Sequence, residues 1–183
     1  KLISQYGLLY KQGRYGEALP LAEKVLAIRE RSLGPEHPNT ATSLNNLADF
    51  YRVTGDFAKA EPLYKRSLAI REKALGPDHR DTAASLSNLA HLYYAMGDLP
   101  KAERLLKRSL AICEKTLGPD HPNTAQPLNN LAEVYKAMGD SKKAEPLLKR
   151  SLAICEKTLG PEHPNTAQPL NNLAELYKAT GDL

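Results

Sequence analysis

The chain has 183 residues, of which 42% are hydrophobic and 25% are charged, with a formal net charge of +4 at pH 7. No apolar run approaches the roughly 18 residues that a helix needs to cross a bilayer, and no signal peptide opens the sequence. We therefore expect a soluble protein with enough apolar residues for a packed core, and we exclude an integral membrane protein of the helical type. The chain lacks an initiator methionine and its repeats are cut at both ends, which suggests a fragment.

The same residues recur every 42 positions along the chain. Glycines mark the period at Gly13, Gly55, Gly97, Gly139 and Gly181, as do the Gly-Pro pairs that begin at Gly34, Gly76, Gly118 and Gly160. Self-similarity at this spacing predicts stacked supersecondary units that bury their apolar faces against one another. We predict one continuous array over residues 1–183. Its approximate units are 1–34 (with a partial first helix), 35–76, 77–118, 119–160 and 161–183 (a first helix only).

Each complete unit is predicted to hold two helices, as residues 35–76 illustrate. Asn39 is the expected N-cap of a first helix, with Pro38 just outside it, and this helix runs to about Thr54. Asp56 is expected to cap the second helix, which ends before Gly76. The glycine before each connector is expected to take the left-handed conformation that closes a helix. Over the whole chain this gives about nine helices, and the last one ends near Thr180.

The apolar residues of the first helix fall on one face of a helical wheel. Leu44, Leu47, Ala48 and Tyr51 cluster there, and polar residues occupy the opposite arc. We therefore predict that this apolar face is the core and that the polar arc is open to solvent.

Leu44, Leu47, Ala48, Tyr51, Gly55, Ala60 and Tyr64 match the spacing of the tetratricopeptide repeat. The strings L-N-N-L-A, K-R-S-L-A-I and E-K-x-L-G-P-x-H-P resemble the 42-residue repeats of kinesin light chains and of many bacterial multi-repeat proteins. The resemblance implies an all-α, right-handed superhelical solenoid of antiparallel helix pairs. It also implies that first helices line a concave groove, which places the polar arc in that groove.

One asparagine recurs in every first helix after the first, at Asn46, Asn88, Asn130 and Asn172. These four residues form the asparagine ladder. A primary amide carries a donor and an acceptor, which suits the backbone of an extended peptide. The positions match groove asparagines of the O-GlcNAc transferase repeats and resemble those of kinesin light chain. Alternatively, these amides cross-link adjacent helices or solvate the groove.

The predicted peptide-binding groove consists of the ladder and its flanking polar residues: Asn45, Asn46, Asp49, Arg52, Asn88, His91, Asn129, Asn130, Glu133, Lys136, Asn171, Asn172, Glu175 and Lys178. A chaperone-type clamp for a terminal carboxylate is disfavoured, because Glu133 and Glu175 would repel that group.

Other types of site find little support in the sequence. The histidines at 37, 79, 121 and 163 lie too far apart to share a metal ion, so we predict a structural role in the connectors. No catalytic constellation appears, and we expect neither an enzyme nor a cofactor. The basic pairs that begin at Lys65, Lys107 and Lys149 are predicted to form an ion-paired outer face, which leaves nucleic-acid binding as a weaker alternative.

The two cysteines, Cys113 and Cys155, occupy equivalent positions where earlier repeats carry Arg29 and Arg71. This exchange predicts a tolerant exterior position. Equivalent helices are too far apart for a disulfide, so free thiols favour a reducing compartment, most simply the cytoplasm.

The leading hypothesis is a protein-interaction scaffold that binds an extended peptide segment of a protein partner. The rival is a structural or self-assembling array whose function lies in other domains. Self-association is expected through the ends, because Leu170, Leu173, Ala174 and Tyr177 lack a covering second helix.

Overall fold

A computed structural model describes residues 2–181 of the chain. Within this range the chain forms nine α-helices and no β-strand. The helices are α1 (Leu2–Lys11), α2 (Tyr15–Leu33), α3 (Pro38–Val53), α4 (Phe57–Leu75), α5 (Arg80–Ala95), α6 (Leu99–Leu117), α7 (Pro122–Ala137), α8 (Ser141–Leu159) and α9 (Pro164–Thr180). The predicted helix count and fold class are confirmed.

The helices fall into two compact units, residues 2–92 and 93–181, with the boundary inside α5. In the first unit, each of α1, α2 and α3 packs against the helix that follows it. In the second unit, each of α6, α7 and α8 does the same. Each unit is therefore a stack of consecutive helices, in which a first helix meets its own second helix and the second helix of the preceding repeat.

The first helices from α3 onward begin at a histidine cap. His37 Nδ1 accepts a hydrogen bond from the backbone N–H of Asn39 at 3.0 Å, and His121 and His163 make the equivalent bond at 3.1 Å. The prediction that Asn39 is the N-cap is therefore wrong, since α3 already begins at Pro38 and His37 is the capping residue. Proline suits the first helical position because its missing N–H has no partner there in any helix. The predicted structural role of these histidines is confirmed.

Each connector is closed by a buried threonine. Thr40 Oγ1 donates to the Gly34 carbonyl at 2.8 Å, and the same bond recurs at 2.8–3.0 Å in the three later connectors. Gly34 has φ 95° and ψ 157°, a region open essentially to glycine alone. Its φ is positive as predicted, but its ψ differs from the left-handed helical value that we expected.

The predicted core face is buried in the complete repeats. Leu44, Leu86 and Leu128 have no exposed surface, and neither do the alanines four residues later. Tyr6 and Phe50 add an edge-to-face aromatic contact in the first unit, with ring centroids 5.9 Å apart. The helical wheel therefore identified the core of the first helices correctly.

The cysteine position is buried, so the prediction of an exterior site is wrong. Cys113 and Cys155 are 8% and 4% exposed, and Arg71 at the equivalent position is 8% exposed. Burial raises the pKa of both thiols. Arginine in one repeat and cysteine in another therefore occupy the same buried position. Each of them needs neighbouring side chains that suit it.

Candidate peptide-binding face of the first helices

All fourteen predicted groove residues lie within the described part of the chain, on α3, α5, α7 and α9. The structure brings some of them into contact with one another and joins others to residues that the sequence did not single out. Their hydrogen bonds decide which of them remain available to a ligand.

Asp49 is the acceptor at the centre of a polar cluster in the first unit. Its carboxylate accepts hydrogen bonds from Tyr10 Oη at 2.5 Å, Arg52 Nη2 at 2.6 Å and Tyr64 Oη at 3.1 Å. Burial, reinforced by Asp49, raises the pKa of both tyrosines. Burial opposes the charged form of Arg52, but the hydrogen bond and charge of Asp49 raise its pKa overall. Asp49 thus pairs with Arg52 on its own helix and links α3 to α1 and α4.

Sequence reasoning did not include Tyr10 or Tyr64 in this cluster. A signal was present, because Tyr64 occupies a buried second-helix position at which Ala22, Leu106 and Leu148 stand in the other repeats. A buried tyrosine hydroxyl needs a hydrogen-bond partner, so an acceptor was to be expected nearby.

The ladder amides of the first unit differ in their hydrogen bonding. Asn46 Nδ2 donates to Tyr6 Oη at 2.8 Å and so joins α3 to α1. Asn88 has no side-chain hydrogen bond to any of residues 2–181, and it is only half-buried. Asn45 Oδ1 is buried and also has no partner in this part of the chain. Hydrogen-bonding capacity therefore remains unused on α3 and α5.

The ladder amides of the second unit are largely engaged. Asn172 Nδ2 lies 3.0 Å from Asn129 Oδ1 and 3.1 Å from Glu133 Oε1, and both oxygens accept from it. Asn130 Oδ1 accepts a hydrogen bond from Gln126 Nε2 at 2.7 Å. Asn129 and Asn130 are only 1% and 6% exposed. Asn172 therefore cross-links α9 to α7, the alternative role that the sequence had left open, whereas the Asn130 bond lies within α7.

Charges on the same faces of the second unit are partly paired. Lys136 Nζ lies 2.8 Å from Glu175 Oε2, and its hydrogen bond and charge lower the pKa of Glu175. Asn171 and Lys178 are exposed on α9. The outer part of this face is therefore accessible, whereas its inner part is occupied by the asparagine contacts.

The basic residues of the second helices form ion pairs, as predicted. Lys107 lies 2.6 Å from Glu103, Lys149 lies 2.7 Å from Glu145, and Lys65 lies 2.7 Å from Glu61. Arginines join successive second helices in the same way, with Arg66 bound to Glu30 and Arg150 to Glu114. Because carboxylates neutralise these five cations, they contribute little net charge for binding phosphate.

Two further observations concern only residues 2–181. No helix in this range is long and apolar enough to cross a membrane. Nor does any group of three or more histidine, cysteine, aspartate or glutamate side chains lie close enough together to hold a metal ion.

Comparison with known proteins supports the repeat architecture. The profile of the tetratricopeptide repeat matches residues 4–73, 42–115, 81–157 and 128–183. The crystal structure of a putative kinesin light chain from Podosopora anserina, with nearly identical TPR-like repeats, aligns at 36% identity and a TM-score of 0.81. This alignment covers 99% of the present chain and 87% of that chain. No curated protein matched.

A second solved structure, BtubC (BKLC) from P. vanneervenii, aligns at 26% identity with a TM-score of 0.84. This alignment covers 99% of the present chain and 72% of the BtubC chain. The likeness to kinesin light chain repeats therefore extends over nearly the full length of the sequence.

Proposed function

Since the chain belongs to the tetratricopeptide repeat family, whose members are generally non-catalytic scaffolds for protein interaction, we propose that it binds an extended peptide segment of a protein partner. The peptide lies along the polar arcs of α3 and α5 in the first unit, and these side chains recognise mainly its backbone. The predicted cytoplasmic location remains part of this proposal.

The unused amide of Asn88 is the observation that carries the proposal. Asn46, Asn130 and Asn172 each use part of their amide in a side-chain hydrogen bond, whereas Asn88 makes none among residues 2–181. Asn88 therefore keeps both the donor and the acceptor that a peptide unit needs.

The neighbouring position supports the same place for the peptide. Asn45 and Asn88 are the equivalents of Asn129 and Asn172, which are bonded to each other in the second unit. In the first unit the acceptor Asn45 Oδ1 has no donor. An unsatisfied buried acceptor costs free energy, so a peptide that rearranges Asn45 and Asn88 and supplies the missing donor would stabilise the complex. Asn129 and Asn172 would first have to break their own hydrogen bond.

The test uses a phage-displayed library of random twelve-residue peptides, selected on the purified chain. Calorimetry then compares the selected peptides on the wild type, on Asn88→Ala and on Asn165→Ala. Asn165 is the matched control, because it is an exposed asparagine on a first helix outside the ladder. Loss of one or two hydrogen bonds predicts about 2- to 12-fold weaker binding for Asn88→Ala, corresponding to about 0.5–1.5 kcal/mol. Equal affinity for all three proteins would remove the ladder from the proposal.

The self-assembling array is favoured by one observation. Ile3, Leu8 and Leu170 are 47%, 58% and 52% exposed on first helices at the two ends of the described chain. Two copies that meet there would press first helices together. In the complete repeats, however, the equivalent face of each first helix packs against a second helix. A second helix therefore fits that face better than another first helix does.

Nucleic-acid binding has no comparable observation in its favour, because Lys65, Lys107 and Lys149 of the basic pairs are bound to carboxylates. Binding of a nucleic acid with a steep dependence on salt concentration would restore that alternative.

A further inference from the structure

In the second unit, a carboxylate and two asparagines form a closed triangle of hydrogen bonds. Glu133 Oε1 accepts from Asn129 Nδ2 at 3.2 Å and from Asn172 Nδ2 at 3.1 Å. Because its nitrogen is bound to Glu133, the amide of Asn129 presents its oxygen to Asn172, which donates to it at 3.0 Å. A peptide that uses the donor of Asn172 must therefore first break this closed triangle.

The equivalent residues of the first unit, Asn45, Asp49 and Asn88, do not form this triangle. A carboxylate has about four acceptor sites. Asp49 already accepts four hydrogen bonds from three side chains, namely from Tyr10 Oη, from Tyr64 Oη, and from Nε and Nη2 of Arg52. No acceptor site of Asp49 remains for an amide. Asn45 Oδ1 and the amide of Asn88 have no partner among residues 2–181.

The second-helix residue that reaches this carboxylate differs between the units. Tyr64 donates to Asp49 in the first unit, whereas its equivalent in the second unit is Leu148. Both side chains are at most 1% exposed, so the leucine is as buried as the tyrosine but offers no hydrogen-bond donor. Leu148 therefore leaves Glu133 free to accept from the asparagines.

The basic residue three positions after the carboxylate also makes different contacts in the two units. Arg52 turns back to Asp49 on its own helix, with Nε at 2.8 Å and Nη2 at 2.6 Å. Its equivalent Lys136 instead lies 2.8 Å from Glu175 on the next first helix. A guanidinium can donate twice to one carboxylate, whereas the ammonium of lysine is a compact point charge. Arg52 therefore occupies acceptor sites whose equivalents on Glu133 remain open to the asparagines.

We propose that Asp49, Arg52 and Tyr64 are positioning residues that keep the peptide site of the first unit open. They act through Asn45 and Asn88, because the saturated carboxylate cannot draw these two amides into a closed triangle. This role rests on the proposed function and deepens it, since it explains why a peptide chooses the first unit, where a ladder amide is free, over the second.

The residues of the second unit, placed in the first, should close the triangle there. The closing variant carries three substitutions: Asp49→Glu, Arg52→Lys and Tyr64→Leu. Hydrogen exchange of the Asn88 side-chain amide, followed by NMR, should be about 2- to 12-fold slower in this variant than in the wild type, because the amide gains a hydrogen bond. The peptide selected from the twelve-residue library should bind about 2- to 12-fold more weakly, since that bond must first be broken.

The reverse exchange in the second unit gives an independent test. The opening variant carries three substitutions: Glu133→Asp, Lys136→Arg and Leu148→Tyr. Tyr94, the equivalent of Tyr10, is available as the remaining donor, since its hydroxyl makes no hydrogen bond among residues 2–181. The Asn172 amide should then exchange as fast as that of Asn88 does in the wild type. Calorimetry should find two peptides bound per chain instead of one.

An ion pair outside the ladder provides the matched control. Arg14 and Glu17 lie 2.7 Å apart, are three residues apart in the sequence and are both exposed. The double variant Arg14→Lys and Glu17→Asp makes the same kind of exchange as the closing variant. Both the hydrogen exchange of Asn88 and the affinity for the peptide should remain at their wild-type values.

Unchanged exchange of the Asn88 amide in a folded closing variant would overturn the proposal, whether or not a peptide binds. So would a folded opening variant that still binds one peptide per chain. Circular dichroism establishes folding, and if one variant is unfolded the other decides. Insensitivity of every selected peptide to Asn88→Ala would instead remove the proposed function. Slower exchange in the closing variant would then still support the control of this amide by Asp49, Arg52 and Tyr64.

Discussion

Arg71 Nη1 donates a 2.8 Å hydrogen bond to Ser85 Oγ, and the two positions change together along the chain. Arg29 makes the same contact with Ser43 at 2.9 Å. In the later repeats the equivalent positions hold cysteine and proline instead, at Cys113 with Pro127 and at Cys155 with Pro169. The buried joint between a second helix and the next first helix thus has a polar form and an apolar form.

This pairing predicts a strong coupling between two substitutions. Arg71→Cys should cost about 1–3 kcal/mol of unfolding free energy, because Ser85 Oγ and the Asp81 carbonyl both lose a donor. Ser85→Pro removes the acceptor of a buried guanidinium and should also destabilise. The double variant recreates the joint of Cys113 and Pro127, so it should cost less than the sum of the two, with a coupling of about 0.5–3 kcal/mol. Urea denaturation of the four proteins measures this, and strictly additive losses would show that the two positions are independent.

The histidine caps predict a specific pattern of rescue. His121→Ala should cost about 0.5–2 kcal/mol of unfolding free energy, because the N–H of Asn123 loses its acceptor at the start of α7. His121→Asn should restore most of this loss, since an asparagine oxygen can also accept at an N-cap. Denaturation curves of both variants test the cap, and a loss of equal size in His121→Asn would mean that packing of the imidazole ring matters instead.

The ladder asparagines should differ in their contribution to stability. Asn172→Ala should cost about 1–3 kcal/mol, because the buried oxygen of Asn129 loses its donor. Asn88→Ala should cost less than about 0.5 kcal/mol, since its amide makes no internal hydrogen bond among residues 2–181. Unfolding free energies of the two variants make the comparison. Equal losses would contradict the hydrogen-bond pattern on which the proposed function rests.

Glu103, which accepts hydrogen bonds from Lys107 and Tyr135, predicts part of the decrease in unfolding free energy at acid pH. The hydrogen bond from Lys107, and to a smaller extent the one from Tyr135, lowers the pKa of Glu103 in the folded chain below the ordinary value of 4.5. The unfolded chain therefore binds the proton first as the pH falls. The stabilisation is fully present above about pH 4.5 and is lost as the pH falls through the folded pKa.

Glu103→Gln should therefore flatten the decrease in unfolding free energy below pH 5, by about 0.2–1 kcal/mol for this partly exposed group. Glu162→Gln is the control, because Glu162 is exposed and forms no ion pair within residues 2–181. Denaturation from pH 3 to pH 7 gives the comparison. Parallel curves for Glu103→Gln and the wild type would show that the cluster has no net effect.

The sequence by itself determined the period, the order of helices and the core of each first helix. Gly55 and Asp56 separate α3 from α4 within one residue of the predicted boundary, and the leucines at 44, 86 and 128 are buried as the wheel required. These features follow from local rules, namely helix breaking by glycine, capping, and the 3.6-residue spacing of apolar side chains. The four-fold repetition made each signal stronger than it is in a single helix.

Only the tertiary structure decided which polar side chains are already engaged. Asn88 and Asn172 have the same residue type and the same repeat position, yet Asn172 bonds to Asn129 at a separation of 43 residues and Asn88 makes no such bond. Asp49 is likewise occupied by Tyr10, which lies 39 residues away. The hydrogen-bond partners of a side chain in a stacked array come from neighbouring repeats, and small differences in those neighbours change the outcome. Periodicity, which records what the repeats share, contains no information about these differences.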